Sequence, residues 1–162
     1  MNPSRVKLVR PKPLTNMASL ESLHARTTAF LDLHWPEGEP RPEWSAPWTF
    51  VGTIPNQERQ GVYALVHGED VVYIGVGAGE NPGRYEGAGL GNRLHNYWRR
   101  DSTDPRTADG ESRYVPSDVW GEVTETPAIV TIGFTPDRAS LANGLEAYLI
   151  RELKPERNVL GK

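Results

Sequence analysis

One glutamate of the sequence lies on the apolar face of a predicted C-terminal helix. The positions four residues before Glu146 and three, four and seven residues after it are all apolar: Ala142, Leu149, Ile150 and Leu153. The helical repeat therefore places this carboxylate among apolar side chains. Because burial of an unpaired carboxylate is costly, Glu146 needs a bound cation, a strong hydrogen-bond donor or a position at the edge of the core. An ion pair with an arginine such as Arg93 is the purely structural alternative.

An arginine and a tyrosine four residues apart, Arg93 and Tyr97, share one face of a predicted helix and can reach the same pocket. Arginine suits a phosphate ligand, because its planar guanidinium donates two parallel hydrogen bonds and keeps its charge. A surface salt bridge is the alternative for Arg93. A core contact beside Leu94 and Trp98 is the alternative for Tyr97.

Two further tyrosines, Tyr63 and Tyr73, lie ten residues apart on the strands of a predicted hairpin. By composition alone, tyrosines in strands are more often packing residues than catalysts. The pKa of a free phenol is about 10. A tyrosine that accepts a proton near neutrality therefore needs a nearby cation, which stabilises the phenolate. Arg93 is one candidate for this role, and metal-bound water is the other.

The order of these residues resembles the GIY-YIG nuclease superfamily, from about residue 61 to residue 162. Five positions carry the resemblance, in chain order: GVY at 61–63, YIG at 73–75, Arg93, Glu146 and Asn158. The second tripeptide matches the family's letter for letter, and the family also places an asparagine near the end of the chain, at the position of Asn158.

The resemblance implies an endonuclease that hydrolyses phosphodiester bonds in DNA with one Mg²⁺ or Mn²⁺ ion held by Glu146. It implies that the hydroxyls of Tyr63 and Tyr73 point to the scissile phosphate, with a water activated near Tyr63 for in-line attack. Arg93 would neutralise charge on the phosphate, and Tyr97 stands where the family often has His or Tyr. Asn158 would fix the surroundings of the site, because an amide cannot titrate.

Two features depart from the family pattern. Many members have a lysine three residues after the YIG tyrosine, where this chain has Val76. The segment AGENPGRYEGAG at 78–89 separates Tyr73 from Arg93 by more residues than is usual. Arg84 in this segment is a candidate replacement for the missing cation, or the segment shapes substrate choice. His95, Arg99 and Arg100 follow on the predicted helix as candidate substrate-binding residues.

The elements that must position these residues follow from hydrophobic periodicity. The expected fold class is α/β (α+β), with a β-β-α-β-α core that forms a small three-stranded antiparallel sheet flanked by helices. The predicted elements are a helix at 17–34 capped by Asn16 or Ser19, strands at 48–54, 61–66 and 71–77, a three-turn helix from about 90, a strand at 128–134, and a helix from Thr135-Pro136 to about Leu153.

A change in composition divides the chain after residue 47. Residues 1–47 contain a basic tail, an amphipathic helix and an arm rich in proline and tryptophan, whereas residues 48–162 form the expected nuclease domain. We expect the tryptophans of the arm to pack on the core, with stacking on nucleotides as the alternative. The N-terminal region could also supply recognition elements.

The overall composition limits the kinds of site and partner. The formal net charge of −3 opposes tight DNA binding, so a domain that keeps the fold but only binds nucleic acid or a partner protein is the rival hypothesis. The absence of cysteine excludes thiolate catalysis and Cys-type zinc sites, and His24, His34, His67 and His95 show no shared metal-ligand spacing. The glycine-rich segment lacks the pattern of a nucleotide-binding loop.

The location and assembly of the protein are also expectations. No run of 18 apolar residues and no signal-like segment occurs in the sequence, which predicts a cytoplasmic protein without a membrane partner. DNA is the expected partner, and a homodimer is expected if both strands are cut. The sequence leaves open whether the role is restriction, homing, repair or that of an effector, and whether the substrate is DNA or RNA.

Overall fold

A computed structural model describes residues 18–79, 89–101, 112–116 and 128–159 of the chain. In chain order the elements of the described part are α1 (Leu20–His34), β1 (Gln60–His67), β2 (Asp70–Gly77), α2 (Gly89–His95), β3 (Trp98–Arg100), β4 (Tyr114–Pro116), β5 (Ala128–Phe134), a 3₁₀ helix (Pro136–Arg138), α3 (Leu141–Leu153) and α4 (Glu156–Val159). Among these residues, the helices are too short or too polar to traverse a lipid bilayer.

The central sheet has three antiparallel strands in the order β2-β1-β5. Strands β1 and β2 form a hairpin whose turn contains Gly68, with a positive φ of 59°. Tyr63 in the middle of β1 lies between Gly75 of β2 and Thr131 of β5. Helices flank this sheet, so the expected α+β fold and its β-β-α-β-α core are confirmed.

Both faces of the sheet are covered, which explains why β1 is a nearly continuous apolar run. Successive residues of a strand point to opposite faces. Val62, Ala64 and Val66 therefore pack with α1 and α3 in one cluster, while Tyr63 and Leu65 pack with α2 and β3 in a second cluster. The catalytic candidates on α2 and α3 consequently approach the sheet from opposite sides.

The N-terminal helix α1 belongs to the first of these clusters. Ser19 caps the helix by accepting a hydrogen bond from the Ser22 N–H at 3.1 Å, as predicted for Ser19, whereas Asn16 lies outside the described residues. The Phe30 ring contacts Tyr148 of α3 with ring centroids 5.5 Å apart. The division of the chain after residue 47 stays a prediction. Helix α1, which precedes this boundary, shares one apolar cluster with the sheet.

The tryptophans of the proline-rich arm pack on the core, as predicted. Trp48 is buried, and Trp35 and Trp44 pack against the cluster that contains α1. The Trp44 Nε1–H donates to the Thr27 hydroxyl at 2.9 Å, so its polar atom is also satisfied.

The predicted strand at 48–54 is wrong. Trp48 and Val51 form only isolated bridges, with Ile129 and Arg113 respectively. Phe50 and Gly52 have positive φ angles of 68° and 77°, which interrupt an extended backbone.

The predicted three-turn helix after residue 90 is too long. Helix α2 ends at His95, and Trp98, Arg99 and Arg100 form β3, which pairs with β4. The reason is tertiary: the Trp98 indole is buried and contacts the Phe50 ring, with centroids 5.1 Å apart. Arg93, Arg99 and Arg100 therefore do not lie on one helix.

The last predicted helix begins later than expected. Thr135 and Pro136 start a single 3₁₀ turn, in which the Thr135 side chain makes no capping hydrogen bond, and α3 begins at Leu141. Arg138 of this turn pairs with Glu39 at 3.0 Å, which holds the 3₁₀ turn against the proline-rich arm.

Thr131 anchors the arm and the following loop to the outer edge of β5. It is fully buried, its hydroxyl donates to the Pro55 carbonyl at 2.9 Å, and the same hydroxyl accepts from Asn56 Nδ2 at 3.0 Å. Its backbone N–H donates to the Ser45 hydroxyl at 3.0 Å. One buried threonine thus attaches the arm and the loop to the edge of the sheet, opposite Tyr63.

We predict that Thr131→Val destabilises the protein by about 2 kcal/mol, because the isosteric change removes the hydroxyl that donates to the Pro55 carbonyl and accepts from the Asn56 amide. Urea denaturation followed by circular dichroism measures the change. Thr28→Val is the matched control, since the Thr28 hydroxyl bonds only the His24 carbonyl on an exposed part of α1. Equal stability of the two variants would contradict the anchoring role.

Candidate active site

The residues singled out from the sequence meet at the outer edge and carboxyl end of β2. They come from separate elements: Tyr63 from β1, Tyr73 from β2, Arg93 from α2, Tyr97 from the turn after α2, Glu146 from α3 and Asn158 from α4. No neighbouring strand pairs with this edge of β2 in the described part of the sheet, so helices from both faces can reach it.

Three of these residues are tyrosines whose rings cluster. The ring centroid of Tyr63 lies 6.0 Å from that of Tyr73 and 6.4 Å from that of Tyr97. The Tyr63 ring extends across β2, over Gly75. A Cβ atom at Gly75 would lie 2.5 Å from the Tyr63 hydroxyl oxygen, so only glycine leaves room for the phenol. The hydroxyl thereby reaches the edge of the sheet.

Arg93 connects the tyrosines with the carboxylate. Its guanidinium carbon lies 4.9 Å from the centre of the Tyr97 ring, although Tyr97 is in a turn and not on the helix. The turn is closed by the Tyr97 N–H, which donates to the Leu94 carbonyl at 3.0 Å. Burial lowers the pKa of Arg93, but the three neighbouring tyrosines, with Tyr63 first, together outweigh burial and the net pKa is raised. The guanidinium therefore stays charged.

The Tyr63 phenol is held neutral by its surroundings. It is fully buried, and burial, followed by the nearby Tyr73 and Tyr97, raises its pKa far above the ordinary value of 10.0. Arg93 acts in the opposite direction but does not compensate. The hydroxyl makes no hydrogen bond of good geometry within the described part of the protein. Arg93 alone therefore does not bring the pKa of Tyr63 towards neutrality, because burial has the larger effect.

Glu146 is half-buried on α3 beside Arg93. Burial raises the pKa of this carboxyl, while Arg93 and a hydrogen bond from the Val76 backbone N–H act to lower it. Thus both candidate partners considered from the sequence, a donor and an arginine, are present. The position also corresponds to the edge of the core and not to its centre.

Glu146 is the candidate metal ligand at this point. Within the described ranges, no three His, Cys, Asp or Glu side chains are grouped as a metal site, so any ion here would take most of its ligands from water and substrate. Mg²⁺ commonly uses one or two carboxylates and completes its shell with water and substrate phosphate oxygens. A half-buried carboxylate whose charge is disfavoured by burial is a suitable single ligand.

Asn158 binds the β2 edge next to Glu146. Its Oδ1 accepts from the Ile74 N–H at 2.8 Å, and its Nδ2 donates to the Ile74 carbonyl at 2.8 Å. The amide therefore replaces a residue of a neighbouring strand. This contact agrees with the expected positioning role, because the side chain bonds the backbone of the YIG segment.

The candidate substrate-binding residues are more scattered. Arg84 lies outside the described residues. His95 ends α2 and its ring lies 5.5 Å from that of Tyr114, whereas Arg99 and Arg100 are exposed on β3. Val76, which stands where the family often has lysine, contributes its backbone N–H to Glu146 and its side chain to the core.

Three asparagines beside Arg93 were not expected from the sequence. Asn92, Asn96 and Asn143 line a cavity of about 520 Å³ together with Arg93. The spacing of Asn92 and Asn96 at one helical turn was a signal, but Asn143 is far from them in the chain. Their convergence is a tertiary property.

We predict that Glu146→Gln raises the free energy of unfolding at a pH of about 7. The folded-state pKa of Glu146 lies above its ordinary value of 4.5. Stability is therefore lost as the pH rises above that value and the carboxylate ionises. The gain should be about 0.5 kcal/mol, because solvent screens a half-exposed group. It should shrink at about pH 3.5, where the wild-type carboxyl is protonated.

Urea denaturation at both pH values measures this difference. Glu152→Gln on the same helix is the matched control, because Glu152 pairs with Arg26 at 3.6 Å and Arg151 at 3.1 Å, and its removal brings no such gain. A Glu146→Gln variant that is less stable than wild type at both pH values would show that burial does not dominate at this position.

Comparisons with protein-family models, with curated proteins and with solved structures found no match for this chain. The assignment of the site therefore depends on its residues and their geometry.

Proposed function

We propose that this protein is a metal-dependent endonuclease that hydrolyses phosphodiester bonds in DNA, with an active site of the GIY-YIG type. The single observation that supports it most is the convergence of three phenols, a guanidinium and a half-buried carboxylate from separate elements at one open edge of the sheet. Core packing alone would require none of these polar groups.

The proposed chemistry is in-line attack of water on phosphorus, with cleavage of the bond between phosphorus and the leaving oxygen. Arg93 binds the non-bridging phosphate oxygens and neutralises their charge. Glu146 would hold one Mg²⁺ or Mn²⁺ ion, which supplies Lewis-acid stabilisation of negative charge on the phosphate and the leaving oxygen.

The tyrosines position the reactants without changing charge. As a neutral phenol, Tyr63 can relay a proton: its oxygen accepts the proton of the attacking water while its own proton passes to a non-bridging phosphate oxygen. That proton then goes to the leaving oxygen as the bond between phosphorus and this oxygen breaks. Tyr73 and Tyr97 flank it and exclude bulk solvent from the phenol. Asn158 keeps the β2 backbone, and with it Gly75 and the Val76 N–H, in place.

The rival proposal is a domain that binds nucleic acid or a partner protein without cutting. The acidic net charge of −3 and Val76 in place of lysine support it. The two proposals differ in one measurable property, which is metal-dependent strand cleavage.

We predict that the purified protein nicks supercoiled plasmid only when Mg²⁺ or Mn²⁺ is added. Glu146→Gln should lower the rate by about 100-fold or more, the scale on which removal of one charge-stabilising group acts. Glu152→Gln, on the same helix but outside the site, should retain the wild-type rate. Plasmid that is bound but not nicked by the wild type would favour the rival, and full activity of Glu146→Gln would refute the metal site.

Arg99 and Arg100 support DNA as the substrate. Both are exposed on β3, which begins directly after Tyr97. In the described part of the chain neither has a carboxylate partner. By contrast, five other arginines lie beside carboxylates: Arg26, Arg41, Arg59, Arg138 and Arg151. Exposed cations at two successive positions of a strand in an acidic chain are suited to phosphate contacts.

We predict that the double variant Arg99→Ala and Arg100→Ala weakens DNA binding and its dependence on salt. The slope of log K against log salt concentration should fall by about 1 for each arginine that contacts a phosphate. Fluorescence anisotropy with a labelled duplex at several salt concentrations measures this slope. Arg41→Ala, which removes a cation paired with Asp32, is the control and should leave it unchanged.

A further inference from the structure

A polar cavity adjoins the candidate active site at Arg93. It has a volume of about 520 Å³ and lies between the end of β2, the beginning of α2 and the first turn of α3. This volume is within the range of roughly 300–1,000 Å³ that is usual for small-molecule sites. Arg93 lines the cavity and also contacts the tyrosine cluster, so the two spaces share this one side chain.

The groups that line the cavity favour a neutral polar ligand attached to an anion. Among the described residues, the polar side chains of the lining are three asparagine amides, Asn92, Asn96 and Asn143, and one cation, Arg93. Because Arg93 is positively charged, this part of the lining favours an anionic or neutral ligand over a cation. Each amide offers both hydrogen-bond donors and acceptors, as the edge of a nucleobase requires.

Backbone atoms form one wall of the cavity. Gly77 at the end of β2 and Gly89 at the beginning of α2 touch directly, since a Cβ atom at Gly77 would lie 2.6 Å from the Gly89 carbonyl oxygen. A Cβ atom at Gly89 would lie 2.1 Å from the Gly77 carbonyl oxygen. This contact fixes the distance between the β2 end and Asn92, one turn into α2.

We propose that this cavity binds the base of the nucleotide next to the cleaved phosphate, and that its asparagines give the enzyme a base preference at that position. The inference rests on the proposed function, because it assumes that a phosphate binds Arg93. Because Arg93 also lines the cavity, the nucleoside attached to that phosphate then lies beside the cavity. Adenine is the expected base, since one asparagine amide pairs with its N6 and N7 atoms together.

The asparagines are held in place but retain capacity for a ligand. Asn92 and Asn96 already interact with other groups of the chain, which restricts their orientation. A primary amide has two donors and an acceptor oxygen with two lone pairs. The exposed side chains of Asn96 and Asn143 can therefore present amide groups to a base.

Binding of the four deoxynucleoside monophosphates to the metal-free protein tests the inference. Isotope-labelled protein is titrated with dAMP, dGMP, dCMP or dTMP, and the side-chain NH₂ signals of the asparagines are followed by NMR. We expect the Asn92, Asn96 and Asn143 signals to shift, with dAMP bound about fivefold or more tightly than the others. Equal affinity for all four nucleotides, or shifts elsewhere, would overturn the base-reading role.

Two sets of variants separate base contacts from phosphate contacts. Asn96→Asp and Asn143→Asp, both at exposed positions, keep the side-chain shape but remove the donors, so the preference for one base should be lost. Gln57→Glu makes the same chemical change outside the cavity and should preserve the preference. Arg93→Ala should weaken all four nucleotides by a similar factor.

These measurements use neither metal nor cleavage. The base-reading inference can therefore fail while the proposed function holds, and the reverse. A protein that nicks plasmid but binds the four nucleotides equally would retain the nuclease proposal and lose the base-reading one. A protein that prefers one nucleotide without nicking would lose the nuclease proposal and keep the base-binding cavity.

Discussion

The outer edge of β2 is the constraint on which the rest of the site depends. An edge strand presents backbone N–H and C=O groups that another strand would normally bond. Here side chains take that place: the Asn158 amide bonds both groups of Ile74, and the Val76 N–H bonds Glu146. Because these partners occupy less space than a strand, Arg93 can approach the same edge from the opposite face. The metal-binding candidate and the phosphate-binding candidate can therefore meet.

The same arrangement stores unfavourable free energy in the folded protein. Among the described residues, the buried Tyr63 hydroxyl has no well-formed hydrogen bond, and burial disfavours the charged form of Glu146. Local features of this kind are typical of functional sites, where a ligand supplies the missing interaction. A phosphate and a cation would supply what Tyr63, Arg93 and Glu146 lack. The apolar clusters on both faces of the sheet stabilise the fold and offset this unfavourable free energy.

The sequence predicted those parts of the fold in which local pattern and tertiary environment agree. The hairpin and β5 are apolar runs bounded by turn residues, and they appear at nearly the expected positions. The end of α2 was not predictable, because Trp98 satisfies a helical repeat but is buried in a strand against Phe50. The placement of Tyr63 and Glu146 could be predicted from spacing. The neutrality of the Tyr63 phenol could not, since desolvation depends on residues far away in the chain.

The contact between Gly77 and Gly89 makes the geometry of the site independent of the length of the segment that joins these two residues. Since β2 and α2 touch at their adjoining ends, the intervening segment begins and ends at nearly one point. The entropy of closing such a segment grows only slowly with its length. Insertions or deletions between these glycines can therefore accumulate without moving Tyr73 relative to Arg93. Related chains can therefore differ in this segment while the ends of β2 and α2 keep their positions.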